Sequence, residues 1–110
     1  MENRRKFIRL PAQLSARCLW GREDKWTSCF VTNVSREGMG IEVYFHERFH
    51  QDEILQFRII LPTQEEIIKT TGTVAWSKVL KEKTSFNGGI KFCNTASEEV
   101  WNLLEYVYTK

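Results

Sequence analysis

Four basic residues crowd the beginning of the sequence, and their side chains suit the binding of an anion. They are Arg4, Arg5, Lys6 and Arg9. Together with the acidic residue Glu2, they give the first ten residues a formal charge of +3. The whole chain is +2, so the remaining residues sum to −1. Guanidinium groups bind phosphate through paired hydrogen bonds. Charge concentrated in this way favours one anionic target at one place, although a solvated basic tail has the same composition.

A second polar group follows at Asn33-Val-Ser-Arg-Glu-Gly38. The Asn33 amide supplies donors and an acceptor, Ser35 adds a hydroxyl, and Gly38 permits a positive φ or a close backbone approach. Between two strands these groups are expected at a surface turn. They suit the edge of a polar ligand, and equally a turn that their own side chains stabilise.

Two later side chains could extend such a site. Trp76 offers a ring face on which a flat ligand can stack, and alternatively it fills the core. Lys91 lies between Ile90 and Phe92, so it is expected to point away from the core. There it meets either a phosphate or plain solvent.

The segment His46-Glu-Arg-Phe-His50 matches the H-E-x-x-H pattern of zinc peptidases. That chemistry requires a helix, which brings both histidines onto one face. Here the pattern follows a strand and enters a polar stretch without helical periodicity, so we interpret it as a chance match. No catalytic set, metal site or cofactor site is predicted elsewhere, and the protein is not expected to be an enzyme.

A period of two in the apolar residues predicts six short strands. They cover about residues 14–20, 26–34, 39–45, 55–61, 67–80 and 86–92, with Gly72 as a bend or bulge. From Thr95 the period becomes helical. Thr95-Ala-Ser-Glu98 is typical of a capping box, and the apolar face comprises Val100, Leu103, Leu104, Val107 and Tyr108.

These elements predict a mainly β protein, a six-stranded antiparallel β-barrel with a C-terminal α-helix. Residues 1–11 are expected to form a flexible basic arm, and residues 12–110 the barrel with its helix over 96–109. A chain of 110 residues suits one domain.

Apolar run lengths and cysteine content indicate the cellular location expected for the protein. The longest apolar runs are too short for a transmembrane helix, and no apolar stretch of a signal peptide follows the basic residues. We therefore expect a cytoplasmic protein without membrane insertion. Cys18, Cys29 and Cys93 are odd in number and lack C-x-x-C spacing, which favours buried, reduced thiols.

The two polar groups together resemble the double signature of the PilZ family. That signature is R-x-x-x-R in an N-terminal arm, followed by [D/N]-x-S-x-x-G after the second strand. Here it reads Arg5-Lys-Phe-Ile-Arg9 and Asn33-Val-Ser-Arg-Glu-Gly38. Gly72-Thr-Val-Ala-Trp76 and Gly89-Ile-Lys-Phe92 also resemble later strands of the family. The resemblance covers the whole chain and implies the same barrel with a C-terminal helix.

The resemblance implies a receptor for the bacterial second messenger cyclic di-GMP. Arg5 and Arg9 would bind its phosphates and guanine edges, Asn33 would hydrogen-bond a guanine, Ser35 would lie beside it, and Gly38 would leave room for the base. The ligand would order the arm against the barrel and change contacts with an unidentified downstream protein.

Relatives with an arginine at the place of Arg4 can hold an intercalated pair of ligand molecules. The resemblance is therefore compatible with a stoichiometry of one or two ligand molecules. Arg4 is otherwise a solvated side chain, and Trp76 stays a possible stacking contact.

Two other functions are compatible with the sequence. A degenerate PilZ-like barrel would act only through protein contacts, without binding the nucleotide. A small barrel could also bind single-stranded nucleic acid through arginine and aromatic contacts, but the near-neutral body disfavours nucleic acid as a partner.

Overall fold

Six antiparallel strands and one helix make up the computed structural model, which describes residues 8–20, 25–44, 49–63, 65–79 and 85–109. The elements are β1 Leu10–Trp20, β2 Thr27–Val34, β3 Gly38–Tyr44, β4 Ile54–Leu61, β5 Glu66–Val79, β6 Ser85–Phe92 and α1 Glu98–Thr109. The strands close into a barrel in the order β1-β2-β3-β6-β5-β4. The predicted barrel with a C-terminal helix is confirmed.

The core lies inside the barrel because each strand turns alternate side chains inward. In β4 the alternation is complete, with Leu55, Phe57, Ile59 and Leu61 buried and the residues between them exposed. Phe49, which precedes β4, is also buried, and its ring lies edge-on to that of Phe86 at 4.8 Å between centroids. Burial of these apolar side chains is the main force that holds the barrel closed.

A bulge at Ala75 changes which face of β5 the following residues occupy. Between β5 and β6, Val74 pairs with Ile90 and Trp76 pairs with Gly89, so Ala75 is an extra residue in β5. Without it, strict alternation from the buried Val74 would turn Trp76 inward. With it, Trp76 lies on the outer surface.

The predicted bulge at Gly72 is therefore wrong. Gly72 pairs regularly with Leu55 on β4 and Phe92 on β6. A Cβ atom at Gly72 would lie 2.4 Å from Cγ2 of Ile90. The glycine is needed for close packing against β6.

The boundary between the predicted arm and the barrel lies earlier than residue 11. β1 begins at Leu10, and Pro11 pairs with Asn33 on β2. Residues 1–7 of the arm lie outside the described part of the chain. The same holds for residues 21–24, between β1 and β2, and for residues 80–84, between β5 and β6.

Helix α1 begins at Glu98, two residues later than predicted, and its N-cap is Ser97 rather than Thr95. The Ser97 Oγ accepts a hydrogen bond from the Val100 N–H at 3.1 Å. Before the helix, Oδ1 of Asn94 accepts a hydrogen bond from the Ala96 N–H at 3.1 Å and so stabilises the turn that leads into α1. The capping box predicted for Thr95 and Glu98 is thus wrong. In the described part of the chain no helix has the length and hydrophobicity needed to cross a membrane.

The helix packs on β5 and β1 through Val100, Leu103 and Tyr106. Tyr106 was not predicted on this face. Tyr108 was predicted there, but it is 78% exposed. Tyr106 follows Leu103 by three residues and therefore lies on the same side of the helix as the buried residues.

Cys18 and Cys29 are free, buried thiols, as predicted, but Cys93 is exposed. A hydrogen bond with Cys18 raises the pKa of the Cys29 thiol above its ordinary value of 9.0, and burial raises it further. Because the thiolate is the reactive form, Cys29 stays inert in the folded protein.

We therefore expect one rapid alkylation by iodoacetamide at mildly alkaline pH, at Cys93, and three after denaturation. The raised pKa also means that the fold loses stability as the pH rises past the ordinary thiol value, because the unfolded chain ionises first. Mass spectrometry of the native and the denatured protein measures the labelling. Modification of Cys29 at the rate of Cys93 in the native protein would contradict the assignment, and a Cys93→Ser variant is the control.

Candidate functional site

The segment from Ser35 to Gly38 forms a tight turn between β2 and β3. The Ser35 N–H donates to the Gly38 carbonyl at 2.8 Å, and the Ser35 Oγ accepts from the Gly38 N–H at 3.3 Å. Ser35 is 1% exposed. Its hydroxyl therefore stabilises the turn, which is the alternative that the sequence left open, and a contact of Ser35 with a ligand stays a prediction.

Gly38 is required at the end of this turn by close approach and not by a positive φ. Among the described glycines none has a positive φ. A Cβ atom at Gly38 would lie 2.0 Å from the carbonyl oxygen of Ile90 on β6. The turn is also fixed to β6 by the Phe92 N–H, which donates to the Glu37 carbonyl at 2.9 Å.

Asn33 and Arg9 meet at the edge of the turn. Nη1 of Arg9 donates to Oδ1 of Asn33 at 2.7 Å, and both side chains are half-buried. Pairing of Pro11 with Asn33 brings Arg9 there, since it lies two residues before Pro11. The two separate sequence signatures thus contribute to one place.

Gly40 leaves the space that the Asn33 amide occupies. It is the residue opposite Asn33 on β3, and a Cβ atom there would lie 2.5 Å from Nδ2 of Asn33. A bulge at Thr32 precedes Asn33 in β2. Sequence reasoning missed Gly40, although a glycine in the middle of an alternating strand is a sign of close approach.

Trp76 lies over Gly89 on the outer surface. A Cβ atom at Gly89 would lie 2.1 Å from Nε1 of the Trp76 indole, so only glycine lets the ring lie against β6. Trp76 is 47% exposed and keeps a large part of its surface free for contact. The core position that the sequence also allowed is excluded.

A row of paired residues joins these two ends of the site. Asn33 pairs with Gly40, Gly40 with Gly89, and Gly89 with Trp76. Adjacent strands are about 4.8 Å apart, so Asn33 and Trp76 are about 14 Å apart across a floor of two glycines. The side chains of Asn33 and Trp76 lie over these two glycines, so the row brings both side chains close to the backbone on one surface.

An open cleft of about 200 Å³ lies beside this row. Its polar lining consists of Arg9, Lys91 and Glu37, and Trp76 supplies the aromatic wall; the other lining residues are Gly38, Ala75, Gly89 and Ile90. Lys91 is exposed, as the alternation predicted. Of the predicted site residues, the structure brings Arg9, Gly38 and Trp76 to this cleft and Asn33 to its edge. Arg4 and Arg5 lie outside the described residues.

The turn also contacts the C-terminal helix. The guanidinium of Arg36 lies over the ring of Trp101, 5.1 Å from its centroid. Trp101 is 51% exposed. A side chain from the centre of the second signature is therefore in contact with α1.

The H-E-x-x-H segment is only partly within the described chain. His46 and Glu47 lie outside it, whereas Phe49 is buried, His50 is exposed, and neither is helical. In the described residues no group of three or more His, Cys, Asp or Glu side chains could hold a metal ion.

Comparison with known proteins identifies the family. Residues 3–109 match the family described as PilZ domain, so the chain belongs to the PilZ family. No significant match was found among curated protein sequences.

Solved structures share the fold at low identity. The Bacillus subtilis inhibitor of motility (MotI/DgrA) has 20% identity and a TM-score of 0.76 over 98% of this chain, which spans about half, 51%, of that protein. The PilZ domain of YcgR from Escherichia coli, solved with c-di-GMP, has 10% identity and a TM-score of 0.75 over 97% of this chain and 91% of that one. The PilZ domain of CeSA from a cellulose-synthesizing bacterium has 10% identity and a TM-score of 0.68 over 93% and 96%.

Proposed function

We propose that this chain is a non-enzymatic receptor for cyclic di-GMP. The observation that carries the proposal is the hydrogen bond of 2.7 Å between Arg9 and Asn33, which joins the two signatures at one cleft. Membership of the PilZ family supports it, and so does the solution of the YcgR domain with this nucleotide.

The chemistry of the cleft suits a ligand with two phosphates and two flat bases. Arg9 can donate in pairs to phosphate oxygens or to guanine O6 and N7, and Lys91 adds a point charge at the cleft. The exposed face of Trp76 suits stacking on a base. Nδ2 of Asn33 donates to Oγ1 of Thr32 at 3.4 Å, so Asn33 keeps one amide proton and a second lone pair on Oδ1 for a guanine edge.

The signal would pass through the N-terminal arm. Arg5, and Arg4 beside it, would close over the bound nucleotide together with Arg9, and the ordered arm would create a new surface for a downstream protein. Ordering of a segment on binding opposes affinity but lets occupancy change the surface. A third guanidinium at Arg4 would offset the charge of a second ligand molecule.

Isothermal titration calorimetry with cyclic di-GMP tests the proposal. We expect saturable binding, and the stoichiometry distinguishes one molecule from an intercalated pair. GMP serves as the control, since it offers one base and one phosphate where cyclic di-GMP offers two of each. The absence of heat, together with no competition at tens of micromolar nucleotide, would favour a degenerate PilZ barrel that contacts only proteins.

Substitution of Gly40 by alanine should weaken nucleotide binding with little loss of stability. The new methyl group would displace the Asn33 amide, whose Nδ2 lies 2.5 Å from the Cβ position, and so break its bond to Arg9. We expect a loss of affinity of about tenfold, the value of one hydrogen bond to a charged group. Calorimetry measures the affinity, and a melting temperature close to that of the wild type separates this effect from unfolding.

A further inference from the structure

Three cations form a line across the outer face of β1, β4 and β5. Arg17 pairs with Arg58, and Arg58 pairs with Lys69, so the three occupy one row of the sheet. All three are exposed, because their neighbours along the strands turn inward. We call them the basic row. It occupies β1, β4 and the first half of β5, whereas the cleft is lined by the second half of β5 together with β6.

Among the described residues, none supplies a counter-charge to the basic row on its own face. Like charges directly opposite each other on neighbouring strands are destabilising. On the outward side of β1, β4 and β5 the described residues include no carboxylate, although the chain has 14 acidic residues. Arg58 instead lies over the ring of Trp26, 4.4 Å from its centroid. The fold thus keeps three cations together at a cost in stability.

An apolar strip runs beside the basic row. Ile60 and Ile67 pair with each other on β4 and β5, two residues further along, and are 41% and 53% exposed. At about 3.3 Å per residue, the strip lies about 7 Å from the cations. Arginine beside exposed apolar side chains is typical of protein interfaces.

We propose that this face binds an acidic amphipathic helix of a partner protein. Strand spacing puts Arg17 and Lys69 about 10 Å apart, which matches about two turns of a helix laid across the strands. Carboxylates three, four and seven residues apart on one side of that helix would face the row. Its adjoining apolar side chains would cover Ile60 and Ile67. A second copy of this chain does not fit, because a two-fold contact would bring cations against cations.

Fluorescence anisotropy with a designed peptide tests the proposal. The probe is a fluorescein-labelled helical peptide with glutamates at the spacing given above and leucines beside them. A peptide with glutamine for each glutamate is its control. We expect saturable binding of the acidic peptide that weakens as salt is added.

The variant Arg17→Glu/Lys69→Glu should lower the affinity at least about tenfold, since each reversal replaces attraction by repulsion. It is expected to fold, because the row then alternates in sign. The control Lys78→Glu/Lys91→Glu changes the net charge equally at exposed positions outside the basic row and should bind the acidic peptide like the wild type.

Three results would overturn the proposal. One is equal binding of the glutamine peptide, and another is equal weakening by both double variants, which would indicate a net-charge effect. The third is binding to phosphatidylserine vesicles or to a DNA oligonucleotide through the basic row when the acidic peptide does not bind. The ligand would then be a membrane or a nucleic acid.

Discussion

Replacement of Arg9 by alanine is expected to weaken cyclic di-GMP binding at least about tenfold. Each hydrogen bond to a charged group contributes about 1.5–3 kcal/mol, and about 1.4 kcal/mol corresponds to a factor of ten. Arg9 contributes twice, because it lines the cleft and also donates to Asn33 at 2.7 Å. Calorimetry of the variant measures the loss.

Arg17→Ala is the matched control for this prediction. Arg17 lies in β1 on another face and should leave nucleotide affinity unchanged. Arg9→Lys keeps the charge but loses the forked donors, so it should fall between the wild type and Arg9→Ala. A cycle that combines Arg9→Ala with Asn33→Ala should show strong non-additivity. Unchanged affinity in Arg9→Ala would remove the arginine from the site.

Substitution of Gly38 by alanine should destabilise the barrel by about 3 kcal/mol or more. The Cβ position lies 2.0 Å from the Ile90 carbonyl oxygen and 3.3 Å from the Lys91 Cα, all of which are backbone atoms. No rotation of a side chain can relieve this clash, so β3 and β6 must separate where they pair. The midpoint of urea denaturation measures the effect.

Gly88, on the paired strand β6, provides the control. A Cβ atom there meets nothing closer than 3.5 Å, at Ile41 and the Trp76 carbonyl, which is ordinary contact. Gly88→Ala should therefore change stability by no more than about 1 kcal/mol, with some gain from a less flexible unfolded chain. Equal stability of the two alanine variants would show that the β3–β6 contact adapts easily.

The strands were predictable because every strand of a barrel turns one face to the core. Successive side chains point to opposite faces, so apolar and polar residues alternate along each strand. Alternation fails at Ala75, where nothing in the residue itself marks a bulge, and so the sequence could not decide whether Trp76 is core or surface. Local hydroxyls were also ambiguous. Thr95 and Ser97 can both cap a helix, and the Asn94 side-chain bond to Ala96 accompanies the choice of Ser97.

The sequence predicted the two motifs of the site, but not that the structure would bring them into contact. Arg9 and Asn33 are 24 residues apart, and only the register between β1 and β2 brings them within 2.7 Å. Ser35 illustrates the opposite limit. Its residue type suits a ligand as well as a turn, and burial of its hydroxyl among the N–H groups of the turn is a property of the folded backbone.

The stacking of Arg36 on Trp101 links two surfaces that are otherwise far apart in the chain. Arg36 belongs to the turn that closes at Gly38, and Trp101 presents half of its surface to solvent on α1. Thermodynamic linkage is reciprocal. If nucleotide bound at the turn changes the affinity of a partner protein for Trp101, then that partner must change the nucleotide affinity by the same factor. A partner bound to the helix would then regulate nucleotide binding as well as respond to it.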